Sequence, residues 1–164
     1  VPPKVLTDFC QQRLSNSEPF TIPNITVHDV RGYISRLQKK MSSGIDGING
    51  CVLNLAQPYI IDSLTYIYNL CINKNIFPTA FKSSKIIPIP KTGDTSDPNN
   101  YRPISLLPIL SKPLEKHIHK HLLNYIEKNS LFSESQSGFR PKHSCHTALS
   151  QTVNSWLTHI NDNK

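Results

Sequence analysis

Apolar residues along this chain follow the 3.6-residue period of helices over most of its length and switch to a two-residue period in one short stretch. Thr26-Val27-His28-Asp29 places an acid three residues after a threonine, and Val30, Ile34, Leu37 and Met41 follow at i, i+4, i+7 and i+11. That pattern predicts a capped helix with one apolar stripe. Ser42-Ser43-Gly44-Ile45-Asp46-Gly47 is expected to end it in a tight turn, its two glycines supplying positive φ. A second helical stretch is expected around 52–56. Pro58 suits the first turn of a third, whose buried face would be Ile60, Ile61, Leu64, Ile67, Tyr68, Cys71 and Ile72, with Pro78 marking its exit. Ser111 is placed to cap a long helix to about Asn129, striped by Leu114, Ile118, Leu122, Tyr125 and Ile126. Ser144 is placed to cap a last helix striped by Ala148, Leu149, Thr152, Val153, Trp156, Leu157 and Ile160.

Between the helices, 85–91 and 101–107 are rich in β-formers and are separated by a turn-forming run from Thr92 to Asn100, which predicts an antiparallel hairpin. Placing Lys91 opposite Arg102 sets Ile89 against Ile104, Ile87 against Leu106, Pro90 against Pro103 and Pro88 against Ser105. One face is then apolar between the strands, and all three prolines occupy pairs in which no ladder donor is lost. A slip of one residue would force prolines into donor positions. The class is α+β, mostly helical with a two-stranded antiparallel hairpin. Residues 1–24, with Pro2, Pro3, Pro19 and Pro23 and only a weak period at Val5, Leu6 and Phe9, read as an arm leading into a domain at 25–164.

Composition narrows the function classes. The 164 residues suffice for one domain with a modest core, since 37% are hydrophobic and 18% charged. No run approaches the roughly 18 apolar residues of a membrane span, and no signal region opens the chain, so no membrane partner and no secretion are expected. The first residue is Val1 and the single methionine is Met41, the look of a piece of a longer polypeptide. Cys10, Cys51, Cys71 and Cys145 form no C-x-x-C pair, which favours free thiols in a reducing compartment. A net charge of +7 suits a chain that meets phosphate.

That charge is concentrated. The window 82–142 holds ten Lys or Arg against five acids. In the expected register Lys91 and Arg102 sit side by side at about 5 Å between Cβ atoms, a repulsive pair unless an anion lies between them. A phosphate is the natural candidate, because a mobile ammonium and a planar guanidinium together suit a polyphosphate. The alternative is a solvated tip neutralised by Asp94 or Asp97. His117 and His121 at i, i+4 invite a metal reading, but both flank the apolar stripe of their helix, within about 60° of Leu114, and no acid or thiol completes a ligand set. No metal site is expected. Hydrolase, zincin, P-loop and redox motifs are missing, and the seven Asp and four Glu are scattered.

The ordered strings Ile87-Pro88-Ile89-Pro90-Lys91, Gly93-Asp94, Asn100-Tyr101-Arg102-Pro103-Ile104-Ser105-Leu106-Leu107, Lys112, Glu115 and Gln136-Ser137-Gly138-Phe139-Arg140 resemble the early motifs of a reverse transcriptase from a non-LTR, LINE-like retrotransposon. Upstream, Ser42-Ser43-Gly44-Ile45-Asp46-Gly47-Ile48 resembles the family's S-x-G-x-D-G-I motif, and Ile76-Phe77-Pro78 with Phe81-Lys82 its F-P-x-x-W-K segment. The likeness covers about 25–160. Ile45, Phe81 and Cys145 depart from the usual Pro, Trp and Thr. The family's catalytic aspartates, in F-x-D and Y-x-D-D segments, do not occur in this chain.

The resemblance implies polymerase fingers with the start of the palm, an incomplete right hand truncated before the catalytic palm motifs. It implies that Lys91 and Arg102 hold the triphosphate of an incoming dNTP, and that Lys85, Gln136, Gly138 and Arg140 contact nucleic acid. The competing reading of Gly138-Phe139 is a turn plus a core anchor. Implied partners are an RNA template, a DNA primer, dNTP and the rest of the polymerase chain, palm and thumb. No catalytic residue and no cofactor are assigned to this chain, while Mg²⁺ is implied for the full-length polymerase, in cytoplasm or nucleus. Two other classes stand beside this one: a non-catalytic basic RNA- or DNA-binding module, and a helical protein-interaction domain.

Overall fold

A computed structural model describes residues 19–37, 42–91, 93–133 and 136–162. The expected arm therefore falls outside the described residues up to 18, as do Met41, Thr92 and Cys10. The elements in chain order are α1 (Val27–Ser35), α2 (Gly50–Lys74), the one-turn α3 (Thr79–Lys82), β1 (Lys85–Pro90), a 3₁₀ turn (Pro98–Asn100), β2 (Tyr101–Leu106), α4 (Ser111–Lys128) and α5 (Cys145–Asp162). The class is α+β, as the residue pattern predicts. Residues 19–123 make one compact unit and 124–162 belong to a second.

The capping box of α1 forms as expected. The Thr26 hydroxyl oxygen accepts the Asp29 N–H at 3.1 Å, and the Asp29 carboxylate accepts the Thr26 N–H at 3.3 Å. Val30, Tyr33, Ile34 and Leu37 are buried from this segment. The two expected helices at 52–56 and after Pro58 are a single helix, α2, which runs through Pro58. Proline deletes one donor, at a cost of about 3 kcal/mol in a helix interior. Burial of Leu53 before it and of Ile61, Leu64 and Tyr68 after it ties both halves to one core and offsets that cost. The exit comes earlier than Pro78: Asn75 adopts φ 54° and its N–H donates to Cys71 and Ile72 carbonyls, a left-handed cap.

Three side chains from distant positions fasten the loops to this frame. Asn69 on α2 accepts the Ile25 N–H at 2.8 Å and donates to the Ile25 carbonyl at 3.0 Å. Its neighbour Tyr68, fully buried, donates to the Leu110 carbonyl at 2.7 Å. His117 on α4, 2% exposed, donates from Nε2 to the Pro23 carbonyl at 2.8 Å. The histidine is thus a packed residue that satisfies a backbone acceptor. Leu114 is buried beside it, whereas Leu122, expected on the same stripe, is largely exposed.

Gly44 and Gly47 do different work in the turn between α1 and α2. Gly47 has φ +70°, as expected of a turn glycine. Gly44 has no positive φ; a Cβ there would lie 2.9 Å from Pro108 N and 3.0 Å from the Leu107 carbonyl carbon and oxygen. It is glycine because the backbone leaving β2 passes against it.

In the second unit, Ser144 and Thr147 cap α5 reciprocally, the Thr147 N–H donating to Ser144 Oγ at 3.2 Å and the Ser144 N–H to Thr147 Oγ1 at 2.9 Å. The expected apolar stripe of α5 is present but not buried: Leu149, Thr152, Val153, Trp156, Leu157 and Ile160 are exposed, Trp156 at 65%, and Ala148 is half-buried.

Candidate functional site

The hairpin forms, but in a register two residues from the expected one. Lys85 lies opposite Leu106, Ile87 opposite Ile104, Pro88 opposite Pro103, Ile89 opposite Arg102 and Pro90 opposite Tyr101. A two-residue shift preserves which side chains share a face, because the side-chain period is two. It also leaves every proline in a pair that exchanges no hydrogen bond, so the proline pattern is satisfied by both registers and cannot choose between them. The turn chooses. Asp97 accepts the Asn99 N–H at 2.9 Å and starts the 3₁₀ turn, and the Lys91 N–H donates to the Asn100 carbonyl at 2.6 Å. Lys91 thereby faces Asn100, and Arg102 faces Ile89.

Lys91 and Arg102 are consequently diagonal neighbours on one face, roughly 7–8 Å apart at the backbone, instead of a direct pair. Both are exposed. The Lys91 ammonium donates to the Asn99 carbonyl at 3.0 Å, which uses one of its three hydrogens and turns it toward the loop. Direct repulsion is thus weaker than the expected register implied, and the gap between the two cations is wider.

The acids available to neutralise that tip are committed elsewhere. Asp94 accepts the Ser96 N–H at 2.8 Å and the Ser96 hydroxyl at 2.6 Å, and those bonds hold its carboxyl below the usual carboxylate range. Asp97 accepts the N–H and the side-chain amide of Asn99 at 2.9 and 3.0 Å. Asn100 Nδ2 donates to the Asp94 carbonyl at 2.7 Å and the Tyr101 hydroxyl to the Thr95 carbonyl at 2.9 Å, closing the loop on itself. Neither acid pairs with Lys91 or Arg102; among the described residues the ion pair present is Arg140 with Glu127. Asp94 and Asp97 thus shape the loop through local hydrogen bonds and make no direct ion pair with either cation.

Both faces of the ribbon are open. Ile86 is 62% exposed, and Ile87, Ile89 and Ile104 are exposed with it. The expected apolar face exists as a row of side chains but is not covered. Lys85 stands exposed at the base of β1, opposite Leu106.

Gln136, Gly138 and Arg140 belong to the second unit. Arg140 Nη1 donates to the Gln136 carbonyl at 3.2 Å, while Nε and Nη2 reach the two Glu127 carboxylate oxygens at 3.4 and 3.3 Å. The guanidinium also lies 4.7 Å over the Phe132 ring. Gln136 and Arg140 are thus brought together, with Arg140 fixing the loop to the end of α4. Gly138 has open space around it. Phe139 is not a core anchor: it has φ 60° and is 104% exposed, the exposed corner of a turn.

A two-metal polymerase centre needs converging carboxylates. Among the described residues no three His, Cys, Asp or Glu converge, so the side chains present do not fit such a centre. Pattern reading missed Tyr68, Asn69 and His117 as loop fasteners, because each partner lies more than forty residues away in the chain.

Residues 89–164 match the family described as reverse transcriptase (RNA-dependent DNA polymerase). The chain is 34% identical over 131 residues to the RNA-directed DNA polymerase from mobile element jockey of Drosophila melanogaster, a match covering 79% of the chain and 14% of that protein. It is 35% identical over 124 residues to the probable RNA-directed DNA polymerase from transposon BS of the same organism, covering 75% and 14%. A third relative, the probable RNA-directed DNA polymerase from transposon X-element, is 31% identical over 131 residues. The chain therefore spans about one seventh of the length of these relatives.

Proposed function

The chain belongs to the reverse transcriptases of non-LTR retrotransposons, and we propose that within such an enzyme it forms the fingers, with Lys91 and Arg102 holding the triphosphate of the incoming dNTP. One observation supports this reading above others. At the tip of the hairpin two exposed cations share a face with a gap between them, while Asp94 and Asp97 are consumed by the loop's own N–H and hydroxyl donors. A polyphosphate bridging the two would satisfy the remaining Lys91 hydrogens and the Arg102 fork.

The contribution to catalysis is positioning. Phosphoryl transfer proceeds in line, and cations fixed on a strand pair neutralise the triphosphate and aim it without reorganising during the reaction. The family's chemistry uses divalent metal, which activates the attacking hydroxyl and stabilises the leaving pyrophosphate. Among the described residues no cluster of donors suits that metal, and the role proposed for Lys91 and Arg102 is toward substrate. The RNA template, DNA primer, palm and thumb are the partners this role requires. Lys85 and Gln136 remain proposed nucleic-acid contacts. Arg140, paired with Glu127, supports the Gln136–Gly138 loop in that role and contacts a strand only if the pair opens. The family match and the relatives do not favour the binding-module or protein-interaction alternatives.

The test is titration of the 164-residue chain with a fluorescent dNTP analogue, with inorganic tripolyphosphate as competitor. Lys91→Ala and Arg102→Ala are each expected to weaken binding about tenfold, the equivalent of about 1.4 kcal/mol. Equal affinity in the double variant and the parent refutes the assignment.

A further inference from the structure

The solvent face of α4 carries Lys112, Lys116 and Lys120 at i, i+4 and i+8, all exposed. The three fall within about 80° of one another around the axis, and His119, also exposed, lies about 20° to the side. Leu114, on the far side of the helix, and Pro113 and His117, on its flank, are held in the core, and the His117 bond to Pro23 fixes the rotation of the helix about its own axis. The ridge is therefore presented in one orientation. Successive lysines rise about 6 Å and the row extends about 12 Å.

Like charges at i, i+4 on an exposed helix repel and destabilise one another. No lysine of the row has an ion-pair partner among the described residues. The one acid in the row's span, Glu115, is half-buried and lies about 60° to the side. Asp29 of α1 is near enough to feel the Lys120 charge but forms no ion pair with it; cations at regular spacing match a polyanion of regular spacing. A nucleic-acid strand advances about 3.4 Å per phosphate, so the row is long enough to accompany three or four phosphates.

We propose that the Lys112, Lys116 and Lys120 ridge of α4 is a nucleic-acid backbone track, separate from the triphosphate grip at the hairpin tip. The proposal rests on the polymerase reading for the identity of its polyanion. The row has no aromatic or apolar anchor among its exposed residues, which a protein interface would need at its centre. Its lysines contact phosphate and carry no base preference.

The test uses the whole 164-residue chain and a labelled single-stranded oligouridylate of about 20 nucleotides, with anisotropy followed between about 50 and 200 mM salt. Changing all three lysines to Gln is expected to reduce the slope of log K against log salt by about 2, at about 0.7 per phosphate contact, and the triple Arg variant is expected to retain it. An unchanged slope in the Gln variant overturns the proposal, as does a parent chain whose binding ignores salt. Polyglutamate binding as tightly as the RNA also overturns it, in favour of an acidic protein surface. Triphosphate binding measured on the same proteins separates the two readings: the Gln variant is expected to bind the dNTP analogue as the parent does, and the Lys91 and Arg102 variants are expected to lose it.

Discussion

Adding one methyl group at Gly44 tests how the hairpin is seated on the helical frame. The new Cβ would meet three backbone atoms at 2.9–3.0 Å, where ordinary contact begins near 3.4 Å, so either the turn or the Leu107–Pro108 segment must move by the difference. Backbone on both sides leaves no flexible side chain to absorb the shift, and overpacking of this kind costs about 1–3 kcal/mol. For a domain of this size that lowers Tm by about 2–12 °C. Because the segment that moves is the continuation of β2, the affinity for triphosphate should fall as well. Gly32→Ala is the matched control. It lies inside α1 with nothing within 4 Å of its would-be Cβ, so removing backbone freedom should stabilise by about 0.5–1 kcal/mol. Thermal unfolding by circular dichroism of the two variants beside the parent reads both signs. If Gly44→Ala melts with the parent, the close approach of Leu107 and Pro108 does not constrain the fold and the reasoning fails.

Tyr68→Phe should lose about 1–3 kcal/mol in urea unfolding, since it strips the Leu110 carbonyl of its partner in a buried setting; a loss below 0.5 kcal/mol, within the noise of a surface change, would count against the Tyr68 clamp. The imidazole of His121 is held below its usual value of 6.5, chiefly by burial and then by His117 and Lys120, with Asp29 opposing. Its folded-state value lies below the unfolded one, so its contribution is full above about pH 6.5 and is lost as pH falls through the folded value. His121→Gln should flatten that part of the stability profile, and an identical profile from pH 7 to 5 would sink the assignment. Primer extension by the isolated chain with primer-template, dNTPs and Mg²⁺ should be nil, since no carboxylates converge among the described residues; template-dependent product above a heat-killed control refutes this.

What could be read from the chain was what local chemistry decides. Thr26 with Asp29, and Ser144, announce their helix starts, and both caps form, the second completed by Thr147. Pro88, Pro90 and Pro103 restricted the hairpin to registers differing by two. The final choice belonged to Asp97 and the 3₁₀ turn it nucleates, whose geometry no alternation of apolar residues encodes. Pro58 was misread as a boundary because the compensating contacts of α2 are tertiary. Gly44 was read as a turn glycine, yet its reason is a chain segment more than sixty positions later. At the candidate site the identities of Lys91 and Arg102 were legible, and their diagonal placement was not.

The same three prolines bear on how such an open ribbon stays dispersed. In this register Ile86, Pro88 and Pro90 on β1, and Tyr101, Pro103 and Ser105 on β2, turn their backbone groups outward to the rims. Half of those positions have no hydrogen to offer. A two-stranded ribbon with exposed isoleucines and two free edges is otherwise a template for recruiting a third strand from a neighbouring molecule. Here the rim of β1 keeps a single outward donor, at Ile86, among its six residues. Restoring the others with Pro88→Thr and Pro90→Thr should make light scattering grow with concentration more steeply than in the parent, and equal growth would refute a role for the prolines in keeping the ribbon's edge unpaired.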